Sequence, residues 1–278
     1  MKKLIGCALM SYSDLIIKQI NNLTPEQIKE TIESINLTTK LIVDKRPDTI
    51  VIFSSSEYAF EDAIAISVHP RLKGSFMDEA LSEIVLGFET DSFLIDVIVQ
   101  TSFRLGIDLI KMTEDVAKNH HFELKLEEKE LLPLYYLHKK GFKGQIVCVR
   151  VRKSAPEEMY TFGKAVQVAI SSLNKKVAIV AVADIISSLN YLKNHGIVEN
   201  YDFEEDLFNV LKNKDRKALF ELNQSFNLQT NECDLKQLFF LMGTVAGLDT
   251  ETTIALHEKE KEENNAVIYY SVQSDTSK

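Results

Sequence analysis

The sequence predicts an α/β protein whose central, largely parallel sheet is flanked by helices and closed by a C-terminal antiparallel hairpin. Three observations predict it. Short continuous apolar runs recur at Leu4–Met10, Thr49–Phe53, Gln145–Val151 and Lys176–Ala183, the pattern of strands covered on both faces. Segments with helical spacing separate these runs, as parallel crossover units require. The C-terminal part instead alternates apolar and polar residues, the mark of strands with one wet face.

Taken in order, Leu4–Met10 is the first buried strand. Thr24-Pro25-Glu26-Gln27 reads as a helix start, with a threonine cap, a first-turn proline and a glutamine returning to the cap. Ile28, Ile32, Ile35 and Leu41-Ile42 give that helix its apolar face, and Lys45-Arg46-Pro47-Asp48 ends it before the strand Thr49–Phe53. Helices are predicted at Asp91–Leu105 and Leu131–Lys140. The strand Gln145–Val151 leads through Ser154-Ala155-Pro156-Glu157 into a helix reaching about Leu173, and Lys176–Ala183 follows as a strand. Helical spacing returns at Asp202–Asn213, Asp215–Phe226 and Leu235–Gly243. Thr250–Leu256 and Ala266–Val272 are the hairpin strands, with the charged stretch Glu258–Asn265 expected as a solvated loop between them. Ser274–Lys278 is expected to be a flexible tail. No repeat, linker or boundary divides residues 1–273, so one domain is expected.

Composition narrows the function classes. With 45% hydrophobic and 26% charged residues, the chain can fill a sizeable core, and wholesale disorder is excluded. The net charge of −9, from 41 acidic and 32 basic residues, opposes binding to a phosphate backbone, so no nucleic-acid partner is expected. The three cysteines, Cys7, Cys148 and Cys233, are widely spaced and fit a reducing compartment rather than a disulfide framework. Met1-Lys2-Lys3 before Leu4-Ile5-Gly6-Cys7 superficially resembles a lipoprotein signal. Such a signal needs an apolar stretch of about 7–15 residues between its charges and its cleavage site, and almost nothing intervenes here. No stretch reads as a bilayer span. The expectation is a soluble, cytoplasmic protein with no membrane partner.

Common chemical motifs are absent. There is no glycine-rich phosphate loop, no Gly-x-Ser-x-Gly elbow and no zinc-type cysteine spacing. Of the six histidines only His120-His121 cluster, and regular backbone points adjacent side chains apart. His69 beside Pro70, His138 before Lys139-Lys140, His195 and His257 are read as surface or core residues.

Six passages, in order, carry a family resemblance. They are Cys7-Ala8-Leu9-Met10-Ser11-Tyr12-Ser13; Pro47 to Ser56; Pro70-Arg71-Leu72-Lys73-Gly74-Ser75-Phe76; Glu127-Glu128-Lys129-Glu130-Leu131-Leu132-Pro133-Leu134; Ala181-Val182-Ala183-Asp184-Ile185-Ile186-Ser187; and Asn231-Glu232-Cys233-Asp234. Together they resemble the class III extradiol (LigB-type) ring-cleavage dioxygenase family, which includes the Memo-like proteins. The resemblance implies a LigB-like domain over residues 1–273 and, in the family, ferrous iron held by two histidines and a glutamate, with a further histidine as acid–base.

At the positions so implied this chain departs from the family. Tyr12 and Ser56 stand at the two ligand-histidine positions, Glu128 and Ser187 at two further histidine positions, and Glu232 at the carboxylate. Asp184 and Pro133 keep their places. A neutral serine hydroxyl is a weak ligand, and phenol ligates mainly once deprotonated, which ordinarily needs a pH near about 10. Open oxygenase sites rely on imidazole nitrogens. The expectation is therefore no cofactor, and a non-catalytic homologue whose cleft, lined by Tyr12, Ser56, Glu128, Asp184, Ser187 and Glu232, binds a small ligand or a protein.

Two alternatives stand beside it. A rebuilt enzyme would use Glu128, Asp184 and Glu232 with Tyr12, and its oxygen ligands would suit Mg²⁺ or Mn²⁺ and hydrolysis; Glu232 and Glu128 are its candidate metal ligands. Retained dioxygenase activity would need His120-His121 to take a displaced family position. By family analogy the implied protein partner is an AMMECR-type domain protein, and the resemblance also admits a homodimer.

Overall fold

The computed structural model describes residues 3–21, 28–56, 59–184, 202–225, 235–260 and 263–273. Its centre is an eight-stranded sheet of order β6-β3-β7-β2-β8-β1-β10-β9. The strands are β1 (Leu4–Ser11), β2 (Thr49–Ser55), β3 (Ile64–Ser67), β6 (Leu109–Met112), β7 (Gln145–Val151), β8 (Val177–Ala183), β9 (Thr250–Glu260) and β10 (Glu263–Val272). The middle four, β7, β2, β8 and β1, run parallel. They are the four continuous apolar runs of the sequence, and every residue of β1, β2 and β8 is buried. Antiparallel neighbours close both sides: β3 pairs with β7, and β10 with β1.

Strand alternation divides the core into two layers. Cys7, Leu9, Val51, Phe53, Ile179 and Ala181 face one side. There they meet α3 (Ser92–Arg104), α6 (Pro156–Ser172), α7 (Asp202–Asn213), α8 (Arg216–Ser225) and α9 (Lys236–Thr244). Ala8, Met10, Ile50, Ile52, Ala178 and Val180 face the other side. That side is covered by α1 (Asp14–Lys18), α2 (Lys29–Asp44), α5 (Glu128–Lys139) and a separate hairpin of β4 (Arg71–Ser75) and β5 (Val85–Glu89). A short α4 (Glu114–Asn119) follows β6. Among the described residues, no helix is long and apolar enough to cross a membrane.

Two expectations need adjustment. The stretch Glu258–Asn265 is not a solvated loop over its described residues: Glu258 pairs with Asn265, Lys259 with Asn264 and Glu260 with Glu263, so the charges ride on extended strands. Glu258 is also docked. Its carboxylate accepts from the backbone N–H groups of Thr31 (2.9 Å) and Glu30 (3.3 Å), and from the Thr31 hydroxyl. The reason lies in α2, whose N-cap position is Ile28, a side chain that cannot accept a hydrogen bond. A strand carboxylate supplies what the helix lacks. Thr24–Gln27, expected to open this helix, lie outside the described residues, as does His195. The second adjustment is that α5 starts at Glu128, three residues before the expected Leu131. The short strands β3, β4, β5 and β6 escape sequence reading because runs of four or five residues carry too little periodicity.

Helices α6 and α9 pack backbone to backbone where Gly163 and Gly243 meet. A Cβ on Gly163 would overlap the Phe240 carbonyl oxygen, and one on Gly243 would overlap the Tyr160 carbonyl oxygen. This approach sets the Phe240 ring parallel to Phe53 of the central strand at 4.0 Å between centroids. Gly163→Ala is expected to destabilise the fold by about 1–3 kcal/mol, the range for overpacking, read as a lower urea midpoint by circular dichroism.

Candidate functional site

Three parallel strands end together: β1 at Ser11-Tyr12, β2 at Ser55-Ser56 and β8 at Ala183-Asp184. Ligand crevices in α/β sheets lie beyond the carboxyl ends of their strands. The Tyr12 amide still donates to the Ala183 carbonyl (3.0 Å), so Tyr12 and Asp184 leave the sheet side by side.

The first turn of α5 faces these ends. Tyr12 Oη donates to Glu128 Oε2 at 3.1 Å, while Glu128 Oε1 accepts from the Met77 amide at 2.6 Å. Ser56 Oγ donates to Glu127 Oε1 at 2.7 Å. Lys129 Nζ donates to Ser55 Oγ at 2.6 Å and lies 5.7 Å from the centre of the Tyr12 ring. The structure thus brings Tyr12 onto Glu128 and Ser56 onto its neighbour Glu127. Asp184 is close enough for its charge to act on Tyr12. Ser187 and Glu232 lie outside the described residues.

Arg150 of β7 organises this turn from below. Its Nε and Nη2 donate to the two oxygens of Glu130 at 2.8 and 2.7 Å, Nη1 lies 3.0 Å from Glu127 Oε1, and Nη2 also reaches the Lys125 carbonyl. Glu130 is fully buried, and its carboxylate also accepts from the Glu127 amide at 3.0 Å, tying off one open donor of the helix start. Burial alone would disfavour the guanidinium charge, but Glu130 and Glu127 outweigh it and hold Arg150 charged.

Two titrating groups at the site are displaced. Burial first, then the charge and hydrogen bond of Glu128, then Asp14 and Asp184, push the Tyr12 phenol above its ordinary range. Glu127 is pushed above the usual carboxylate range by burial, which prevails over the opposing pull of Arg150. Tyr12 is therefore a neutral phenol at ordinary pH, and its proton is spent on Glu128.

Four of the five described histidines are elsewhere employed, and the fifth, His121, is exposed. His69 contacts the Arg71 carbonyl oxygen at 2.7 Å, His120 packs on Phe60 at 4.8 Å, His138 lies edge-on to Phe88 and His257 stacks on Phe208 at 5.3 Å. Among the described residues, no three His, Cys, Asp or Glu side chains are grouped to hold a metal ion.

The family described as the catalytic LigB subunit of aromatic ring-opening dioxygenase matches residues 6–268. The chain belongs to that family. Protein CA_C1420 of Clostridium acetobutylicum is 23% identical to this LigB-family chain over 254 residues. That match covers 91% of the chain but 54% of the relative, so the chain spans about half the relative's length. In fold, the LigB-family chain is similar to the crystal structure of uncharacterized protein JW3007 from Escherichia coli K12, with a TM-score of 0.56 and 11% identity, covering 95% of this chain and 99% of that one.

Sequence reasoning assigned Glu128 and missed Glu127, Lys129, Ser55 and Arg150 as parts of the same network. One signal was available: Arg150 is the lone cation inside the apolar run Gln145–Val151, and a charge on a central strand must find a partner. Arg150→Met strands the buried Glu130 and is expected to cost about 3–5 kcal/mol in urea unfolding; replacing Glu130 by Met as well should recover part of that loss. For Glu127 the folded chain holds its proton more tightly than the unfolded one. Its stabilisation is present at low pH and is lost as pH rises from the ordinary carboxylate range through the raised one. Glu127→Gln is expected to flatten that stretch of a plot of urea midpoint against pH.

Proposed function

We propose that this LigB-family chain uses its cleft to bind a ligand or protein partner, and does not open aromatic rings with iron. One observation carries the reading. The hydroxyls of Tyr12 and Ser56, which stand where the resemblance places ligand histidines, both give their protons to carboxylates of the α5 first turn. A phenol held neutral and a serine donating to Glu127 are poor donors to ferrous iron, which open oxygenase sites hold with imidazole nitrogens. The described part of the family's ligand set therefore does not fit that metal.

The cleft instead offers hydrogen-bonding groups on a rigid frame: Tyr12, Ser56, Glu128 and Asp184, with Ser187 and Glu232 as further family-equivalent positions. A protein partner of AMMECR type, by family analogy, is consistent with a relative nearly twice as long as the matched region. Buried, unpaired Cys7 and Cys148 support a reducing, cytoplasmic setting.

A second reading has its own support, since Glu128 and Asp184 both bear on the Tyr12 phenol. In it a carboxylate-lined site takes Mg²⁺ or Mn²⁺ and hydrolyses its substrate. Metal analysis of protein produced in iron-rich medium, with melting curves in Fe²⁺, Mn²⁺ and Mg²⁺ and oxygen uptake on catechols, separates these outcomes. The binding reading expects substoichiometric metal, no metal-dependent rise in melting temperature and no oxygen uptake. A rise in Mn²⁺ or Mg²⁺ that Glu128→Gln abolishes favours the rebuilt enzyme. Stoichiometric iron with ring cleavage overturns both.

A further inference from the structure

Beyond Ser11, strands β1 and β10 part company. The antiparallel register that pairs Met10 with Val267 would place Ala266 opposite Ser11 and Asn265 opposite Tyr12. At Ser11 the side chain takes over from the backbone: Oγ donates to the Ala266 carbonyl (3.0 Å) and accepts from the Ala266 amide (2.7 Å). The next residue, Tyr12, has its amide on the β8 side, where it donates to the Ala183 carbonyl. The strands thus separate at the end of the sheet where the candidate cleft lies, and Asn265 is the β10 residue at the point of separation.

Asn265 is fully buried, and neither Nδ2 nor Oδ1 of its carboxamide has a hydrogen-bond partner among the described residues. Strand alternation sets it on the same side as Val267 and Tyr269, the layer that also contains Tyr12. The nearest charged group across the β9 ladder, Glu258, is already committed to the start of α2. Native proteins leave few buried polar groups unpaired, so a carboxamide open at both ends calls for a partner from outside the fold, a water or a ligand.

We infer that Asn265 is a ligand-contacting residue of the cleft, and that the group it takes is an uncharged amide. This deepens the binding reading and rests on it. An asparagine side chain presents a donor and an acceptor side by side, and an amide presents the complement, so the two close a pair of hydrogen bonds. A carboxylic acid has the same shape but ionises, and the negative charges of Glu128, Asp184 and Asp14, already felt by Tyr12, oppose an anion there. The matching pair can come from a small primary amide, or from the N–H and C=O of one extended residue in a peptide backbone, since a single trans peptide unit points its two groups apart.

Nuclear magnetic resonance on the full chain, labelled with ¹⁵N-asparagine, tests this. The Asn265 side-chain signal is the one lost in Asn265→Leu, or in Asn265→Ser if the first variant does not fold. The probes are benzamide, N-acetylalanine methylamide and benzoate. Selective movement of the Asn265 signal with an amide, and not with benzoate, is expected, and whichever amide moves it identifies the source. The variant should weaken that amide roughly tenfold or more, the loss of two neutral hydrogen bonds. It should melt no lower than the parent, because an unpaired buried carboxamide is no asset to the fold. An Asn265 signal unmoved by either amide, or moved equally by benzoate, overturns the subsite. A chain that responds to amide yet loads stoichiometric iron keeps the subsite and defeats the binding reading, whereas a metal-free chain with an unresponsive Asn265 does the reverse.

Discussion

The site depends on one buried guanidinium. Arg150 stands on a central strand with its side chain almost wholly withdrawn from water, a position tolerable only when opposite charges meet it with good geometry. Glu130 meets it with both oxygens and Glu127 with one. Because those carboxylates belong to the first turn of α5, satisfying the charge also fixes where that helix begins and how its open amides are used. Glu127, Glu128 and Lys129 are thereby delivered to the strand ends in a fixed order. The chemistry above the sheet inherits its geometry from an electrostatic requirement within it.

At the positions that the sequence resemblance sets against ligand histidines, this arrangement employs the side chains differently. An imidazole presents a lone pair outward to a metal. Tyr12 and Ser56 present protons, and the nearest groups are carboxylates that accept them. The cleft is a self-consistent set of donors and acceptors, with Lys129 adding a cation between Ser55 and the Tyr12 ring. Such a network favours a fixed shape over exchangeable ligation, as the proposed binding role requires.

Much of the fold was legible because the central strands are buried on both faces and so spell themselves as unbroken Val, Ile and Ala runs. Helices with strong apolar spacing, such as α3 and α6, were placed to within a residue or two for a similar reason. Elements that depend on distant partners were not legible. The charged strand ends of β9 and β10 looked like loop because nothing local shows that Glu258 is needed at the start of α2. At the site, the order of motifs singles out Tyr12, Ser56, Glu128 and Asp184 as candidates, but pairing is a property of three dimensions. Ser56 was aligned to a ligand position, yet its partner is Glu127, one residue from the position the alignment emphasised.

The placement of β1 has a consequence for how the molecule comes together. The first strand of the chain is an interior one, held between β8 and β10, and Glu258 reaches α2 across 228 residues of sequence. Both neighbours of β1 are supplied by segments much later in the sequence, so β1 stays unpaired on both edges until they are in place. Closure of the sheet is therefore a long-range event, of the kind that slows folding.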